Sequence, residues 1–64
     1  MSNTIIKSEV MLILQKYNQP LTCGFIARES RLYYHYEIQN ALTSLVNEGK
    51  VVRTKFGRRY YYAI

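Results

Sequence analysis

The chain has few of the residues that usually carry chemistry: one cysteine, one histidine, one proline, no tryptophan and four acidic residues in 64. A lone cysteine, Cys23, cannot close an internal disulfide, which fits a reducing compartment. The single histidine, His35, and the scattered carboxylates Glu9, Glu29, Glu37 and Glu48 form neither a metal-ligand spacing nor a nucleophile–base pair. No glycine-rich phosphate loop is present. Catalysis therefore finds no support, and no cofactor or metal is expected. No apolar run approaches the ~20 residues of a bilayer span. The opening MSNTIIKSEV lacks the charged-then-apolar order of an export signal. The expectation is one small domain, residues 1–64, in the cytoplasm and away from membranes. A domain of this size buries only roughly 60% of its unfolded surface, so it is marginal unless compact or self-associated.

What the chain does have is unevenly placed charge. Its net charge is +5. Residues 1–49 balance Lys7, Lys16, Arg28 and Arg31 against the four glutamates. Lys50, Arg53, Lys55, Arg58 and Arg59 follow with no acid among them, in a segment that also holds three consecutive tyrosines. A field concentrated in this way attracts a polyanion, nucleic acid or an anionic surface. A membrane-surface role calls for a basic amphipathic helix, and this charge falls on strand-forming sequence. The plain alternative is a solvated hairpin that aids solubility.

Hydrophobic spacing predicts three helices. Ile6, Val10, Ile13, Leu14 and Tyr17 mark one face of a helix from about residue 4 to 17, with Ser2, Asn3 or Thr4 as its cap and Asn18-Gln19-Pro20 as its stop. LTCGFIARES reads as a short helix over about 22–29. Thr22 is its N-cap, Leu21 and Ile26 are a hydrophobic staple, and Phe25, Ile26 and Cys23 form its buried side. Ile38, Ala41, Leu42, Leu45 and Val46 define a third helix, ended by Gly49 in the left-handed conformation. VVRTKFGRRYYY then reads as a hairpin. With Phe56-Gly57 as its tip, Val51 pairs with Tyr62, Arg53 with Tyr60 and Thr54 with Arg59. Val51, Tyr60, Tyr62 and Ile64 then face the core, while Arg59 and Tyr61 face out. Ile5 and Leu12, with Met11 nearby, make a second apolar stripe on the first helix. It suits either a partner surface or a place under the C-terminal strand.

In this order QPLTCGFIARES, EIQNALTSLVNEGKVV and RRYYYAI resemble the second helix, recognition helix and returning strand of the winged helix-turn-helix DNA-binding family. The resemblance spans essentially the whole chain, and among its members the chain looks most like the small single-domain FaeA-like regulators. It implies a mainly helical α+β fold, three helices followed by a two-stranded β-hairpin wing. It also implies a transcriptional regulator of double-stranded DNA with the third helix in the major groove, and residence with the nucleoid. SRLYYHY departs from the pattern, being one residue longer than the usual turn and lacking its glycine, so it does not fix where the third helix begins.

The residue chemistry points the same way. Opposite the apolar face of the third helix lie Tyr36, Asn40, Thr43 and Asn47, with Gln39 on the flank. An idle solvent face typically carries lysine and glutamate, whereas amides can bond an adenine edge and a threonine methyl can meet a thymine methyl. Arg53, Lys55, Arg58, Arg59 and Tyr61 on the wing are placed for phosphate or minor-groove contact. Tyr33, Tyr34 and Tyr36 divide evenly between contact with the sugar–phosphate chain and a structural place, with Tyr34 covering the core edge and the other two half-exposed. Cys23 is read as a small buried side chain, or as a thiol lowered by its place near a helix start. Arg28 and Arg31 divide evenly between phosphate contact and solvation. Expected partners are double-stranded DNA and a second copy of the chain, because one such module makes a small interface. The competing reading is a protein-interaction winged helix, an inhibitor or adaptor that grips an acidic partner or another regulatory protein through the hairpin.

Overall fold

The computed structural model describes residues 2–64 and has the order α1 (Ser2–Tyr17), β1 (Leu21–Thr22), α2 (Cys23–Ser30), α3 (His35–Asn47), β2 (Val52–Phe56) and β3 (Arg59–Ala63). The three helices and an antiparallel sheet in the order β1-β3-β2 make a winged helix-turn-helix arrangement. One core joins them. Ile6, Val10, Ile13 and Leu14 from α1 meet Ile26 from α2, Ile38, Ala41, Leu42 and Leu45 from α3, and Leu21, Val51 and Tyr62 from the sheet side.

α1 begins two residues earlier than expected, so Ser2, Asn3 and Thr4 lie inside it rather than capping it. Nothing in that stretch breaks a helix, and a cap before Ser2 lies outside the described residues. Asn18 ends α1 at φ 51°, a left-handed conformation that asparagine tolerates, and its N–H donates to the Leu14 carbonyl at 2.9 Å. Thr22 caps α2 as its sequence implies, its Oγ1 accepting from the Phe25 N–H at 3.2 Å.

The long turn into α3 takes a form the sequence pattern did not contain. Arg31 occupies the left-handed position, φ 59°, that glycine usually fills, and its N–H bonds the Ala27 carbonyl. The Ser30 side chain is buried, and its Oγ accepts from the Leu32 N–H at 3.3 Å. Glu37 settles the start of α3 by accepting from the Tyr34 N–H at 2.9 Å. This is the acidic half of a capping box without the usual serine or threonine. Gly49, at φ 77°, ends the helix as expected, and the N–H groups of Lys50 and Val51 turn back to the Leu45 carbonyl.

The hairpin register differs from the expected one by two residues. Phe56 pairs with Arg59, Lys55 with Tyr60, Thr54 with Tyr61, Arg53 with Tyr62 and Val52 with Ala63. The tip is therefore Gly57-Arg58, led by Gly57 at φ 67°, as a II′ turn requires of its first central residue. A shift of two preserves strand parity, so the assignment of faces survives. Two core assignments do not. Tyr60 now sits opposite Lys55 near the tip and is 45% exposed, and Ile64 lies past the last ladder pair and is 60% exposed. β1 was also missed: two residues carry no readable alternation, and only pairing with Tyr61 and Tyr62 makes them a strand.

Packing revises other expectations. Phe25 reaches the surface and meets Tyr17 edge-on, with ring centroids 5.1 Å apart. Tyr33, not Tyr34, packs against the core. Ile5 and Leu12 stay exposed and do not lie under the C-terminal strand.

Cys23 is buried, and loss of solvation pushes its thiol above the usual value, the reverse of an activated cysteine. A thiol reagent such as DTNB should therefore label native protein slowly and denatured protein at once. Fast labelling of the native state would contradict the packing of α2.

Glu48 is held below the usual carboxylate range by a hydrogen bond from Lys7, with attraction from Lys50 at 3.7 Å adding to it. Because the folded value is the lower one, the pair supports the fold above the unfolded carboxylate value and loses that support as pH falls through the folded one.

Candidate nucleic-acid interface

α3 owes its orientation to its own two-sidedness. Ile38, Ala41, Leu42 and Leu45 are buried, which turns Tyr36, Asn40, Thr43 and Asn47 outward, and all four are exposed. Thr43 donates its hydroxyl proton to the Gln39 carbonyl one turn back, at 3.0 Å. What it can offer a base is thus its methyl group and a lone pair.

Gln39 is placed differently from the other candidates. It is half-buried, and its Nε2 donates to the Tyr62 hydroxyl at 3.1 Å. The reason lies in β3: Tyr62 enters the core with its ring and needs a partner for its polar end. The bond ties α3 to the central strand of the sheet, so Gln39 is a brace as well as a flank of the outward face. Removing the hydroxyl with Tyr62→Phe should cost about 0.5–1.5 kcal/mol, read from urea denaturation. A change within error would show that the brace carries no stability.

The wing brings the cations. Arg53, Lys55, Arg58 and Arg59 are all exposed, and among the described residues none has a carboxylate within salt-bridge range. Lys50 is the exception in the basic segment, since Glu48 lies beside it. Strand alternation puts Arg53 and Lys55 on the same face as Tyr60 and Tyr62. There Arg53 stacks over the Tyr60 ring at 5.0 Å and Lys55 approaches it at 5.8 Å. Tyr61 is half-buried on the opposite face, edge-on to Phe56 at 6.5 Å.

A single open groove joins the two elements. Gln39 of α3, Arg59, Tyr60 and Tyr62 of β3, and Thr22, Cys23 and Gly24 at the start of α2 line it together. The helix flank and the returning wing strand therefore border one surface. One residue here and one pairing of candidates go beyond the sequence pattern. Sequence alternation places Tyr60 in the core, and only the observed register, which sets it opposite Lys55, exposes it. Tyr34 and Tyr36 stack, with ring centroids 5.9 Å apart and ring planes 9° from parallel, both largely exposed. The run of aromatics was visible, but their stacking depends on the turn geometry that Glu37 fixes. A second open groove, beside the turn, is lined in part by Arg28, Tyr33, Tyr34 and His35. Arg31 lies elsewhere, beside Leu32, Tyr33 and Tyr34.

Compared with family models, curated proteins and solved structures, the chain matches none. No helix among the described residues is long and apolar enough to cross a membrane, and none of their His, Cys, Asp and Glu side chains cluster in threes.

Proposed function

We propose that this protein is a sequence-specific regulator of transcription that binds double-stranded DNA, of the kind found among the small FaeA-like winged helices. In this reading α3 lies in the major groove and the wing lies along the adjoining backbone or minor groove. The observation that carries it is the shared groove, with Gln39 from α3 on one side and Arg59 and Tyr60 from the wing on the other. Neutral hydrogen-bonding side chains project from α3, and four cations with no carboxylate partner among the described residues project from the wing. The first group suits base edges, which specify sequence. The second suits phosphates, which position the protein without reading sequence.

Each group has its own role. Asn40 and Asn47 can pair with adenine, and Thr43 can place its methyl against thymine. Tyr36 stands at the entrance of the helix, where it can meet the sugar–phosphate chain. Arg58 is at the tip, Arg59 and Tyr61 follow it, and Arg53 and Lys55 flank Tyr60 on the inner face. An interface drawn from one module of this size is small for high specificity, so a second copy on a tandem or palindromic site belongs to the proposal.

Selection of bound sequences from a random duplex pool tests it. Enrichment of a motif supports the reading, and its symmetry reports whether one copy or two bind. A pool that stays random after several rounds would end it. On the selected site, Asn40→Ala should cost about 1–3 kcal/mol while leaving affinity for random DNA nearly unchanged. Arg59→Ala should weaken both alike. Equal loss of specificity in the two variants, measured by gel shift on both duplexes, would contradict the division between reader and clamp.

A further inference from the structure

The strand order β1-β3-β2 leaves β2 with one side unpaired, and all five of its residues are exposed. The turn determines which backbone groups that free side presents. A two-residue tip is closed by a hydrogen-bonded pair, here Phe56 and Arg59, and bonded and non-bonded pairs alternate along an antiparallel ladder. The ladder bonds therefore belong to Phe56, Thr54 and Val52. The N–H and C=O groups of Arg53 and Lys55 point away from β3, ready for another strand.

Edges of this kind are usually blunted by proline, by a bulge, by a covering element or by charged side chains, and β2 has only the last, Arg53 and Lys55. β2 contains no proline, and its pairing with β3 runs without interruption from Val52 to Phe56. Its side chains sort by face instead. Arg53 and Lys55 lie on one face. On the other, Val52 and Phe56 are 60% and 76% exposed, with Thr54 between them and Tyr61 edge-on to Phe56.

This sorting selects the occupant. If a second copy paired its own β2 here, the outward-bonding residues would be Arg53 and Lys55 on both sides. Every antiparallel register that keeps those bonds sets a cation opposite a cation, which is destabilising. An incoming strand with acidic side chains opposite Arg53 and Lys55 reverses that sign. Apolar side chains at its intervening positions would cover Val52 and Phe56. We infer that the free edge of β2 is a strand-addition site for an extended protein segment in which acidic and apolar residues alternate. The inference stands independently of the DNA-binding proposal. Should both hold, the two ligands compete, since each engages Arg53 and Lys55.

The test uses the intact ¹⁵N-labelled protein and a seven-residue peptide of alternating glutamate and valine, blocked at both ends. At low salt, saturable shifts should appear at Val52–Phe56, and exchange of the Arg53 and Lys55 amides should slow by about tenfold or more at saturation. Replacing the glutamates with lysine should abolish the effect. Methylating the peptide nitrogens that would face β2 should do the same, because it removes the strand bonds but keeps the charge. Absence of shifts would overturn the proposal. Equal binding by the N-methylated peptide would overturn it too, by reducing the effect to charge attraction. Concentration-dependent protection of the Arg53 and Lys55 amides in free protein would also do so, since the edge would then be covered by a second copy. None of these results bears on duplex binding, which the gel shift reads separately.

Discussion

Raising salt from about 50 to 200 mM should weaken binding to a random duplex by roughly a hundredfold. The expectation rests on the wing cations that no carboxylate neutralises among the described residues. Arg53, Lys55, Arg58 and Arg59 are free of carboxylates among the described residues, whereas Lys50 is engaged with Glu48. If each of the four neutralises one phosphate, the logarithm of the affinity falls by about 0.9 per phosphate for each log unit of salt, a slope near −3.6. The pattern of variants matters more than the slope itself. Arg58→Ala with Arg59→Ala should bring the slope down by about 1.8, two phosphates' worth. Lys50→Ala should leave it nearly unchanged, although Lys50 belongs to the same basic run of sequence. A slope that does not distinguish these variants would mean that the wing does not track the backbone. Absence of binding at the lowest salt would remove the DNA reading altogether.

Leu42→Ala should destabilise the protein by about 2–5 kcal/mol. Leu42 is completely buried, as are Val10 of α1, Ile26 of α2 and Ile38 one turn before it on α3. Truncation would open a cavity where α1, α2 and α3 converge. Ordinary domains have stabilities of about 0.05–0.15 kcal/mol per residue, so a chain this short has only a few kcal/mol to lose. Each kcal/mol is worth about 4–8 °C in Tm for small domains, which places the expected drop at tens of degrees. Thr43→Ala is the control. Its side chain is exposed and its one hydrogen bond returns to its own helix, so the change should stay within about 0.5 kcal/mol. Thermal melts followed by circular dichroism compare the two directly. A Leu42→Ala melt within a few degrees of the parent would mean that α3 is not packed as described.

The helices were legible because each depends on signals within a few residues. The spacing of Ile6, Val10, Ile13 and Leu14 marks a buried stripe wherever it occurs. Thr22 needs only the Phe25 N–H to act as a cap. Gly49 adopts a conformation that most residues avoid. The same locality explains why the outward positions of α3 were identifiable. Once the buried face is known, the helical period places Asn40, Thr43 and Asn47 on the other side.

The failures share a different cause. Tyr60 and Tyr62 have the same parity and the same side chain, yet one is 45% exposed and the other 2%. What separates them is distance from the tip, and shifting the pairing register by two residues leaves the alternation intact. Gln39 looks in sequence like another outward amide, but Tyr62, 23 positions away, claims its Nε2. Tyr34 leaves its expected place at the core edge because the turn pivots on Arg31 and Glu37, neither of which is the usual residue for its position.

By itself, the sequence determined three helices, a basic strand pair and the faces that each turns inward, because periodicity and capping are properties of neighbouring residues. Tertiary structure alone decided the register of the wing, the third strand at Leu21–Thr22, the pinning of Gln39 and the open edge of β2. Each of those depends on which distant backbone or side chain arrives alongside. A hydrogen bond or ladder pair between residues far apart leaves no trace in the local pattern of either partner.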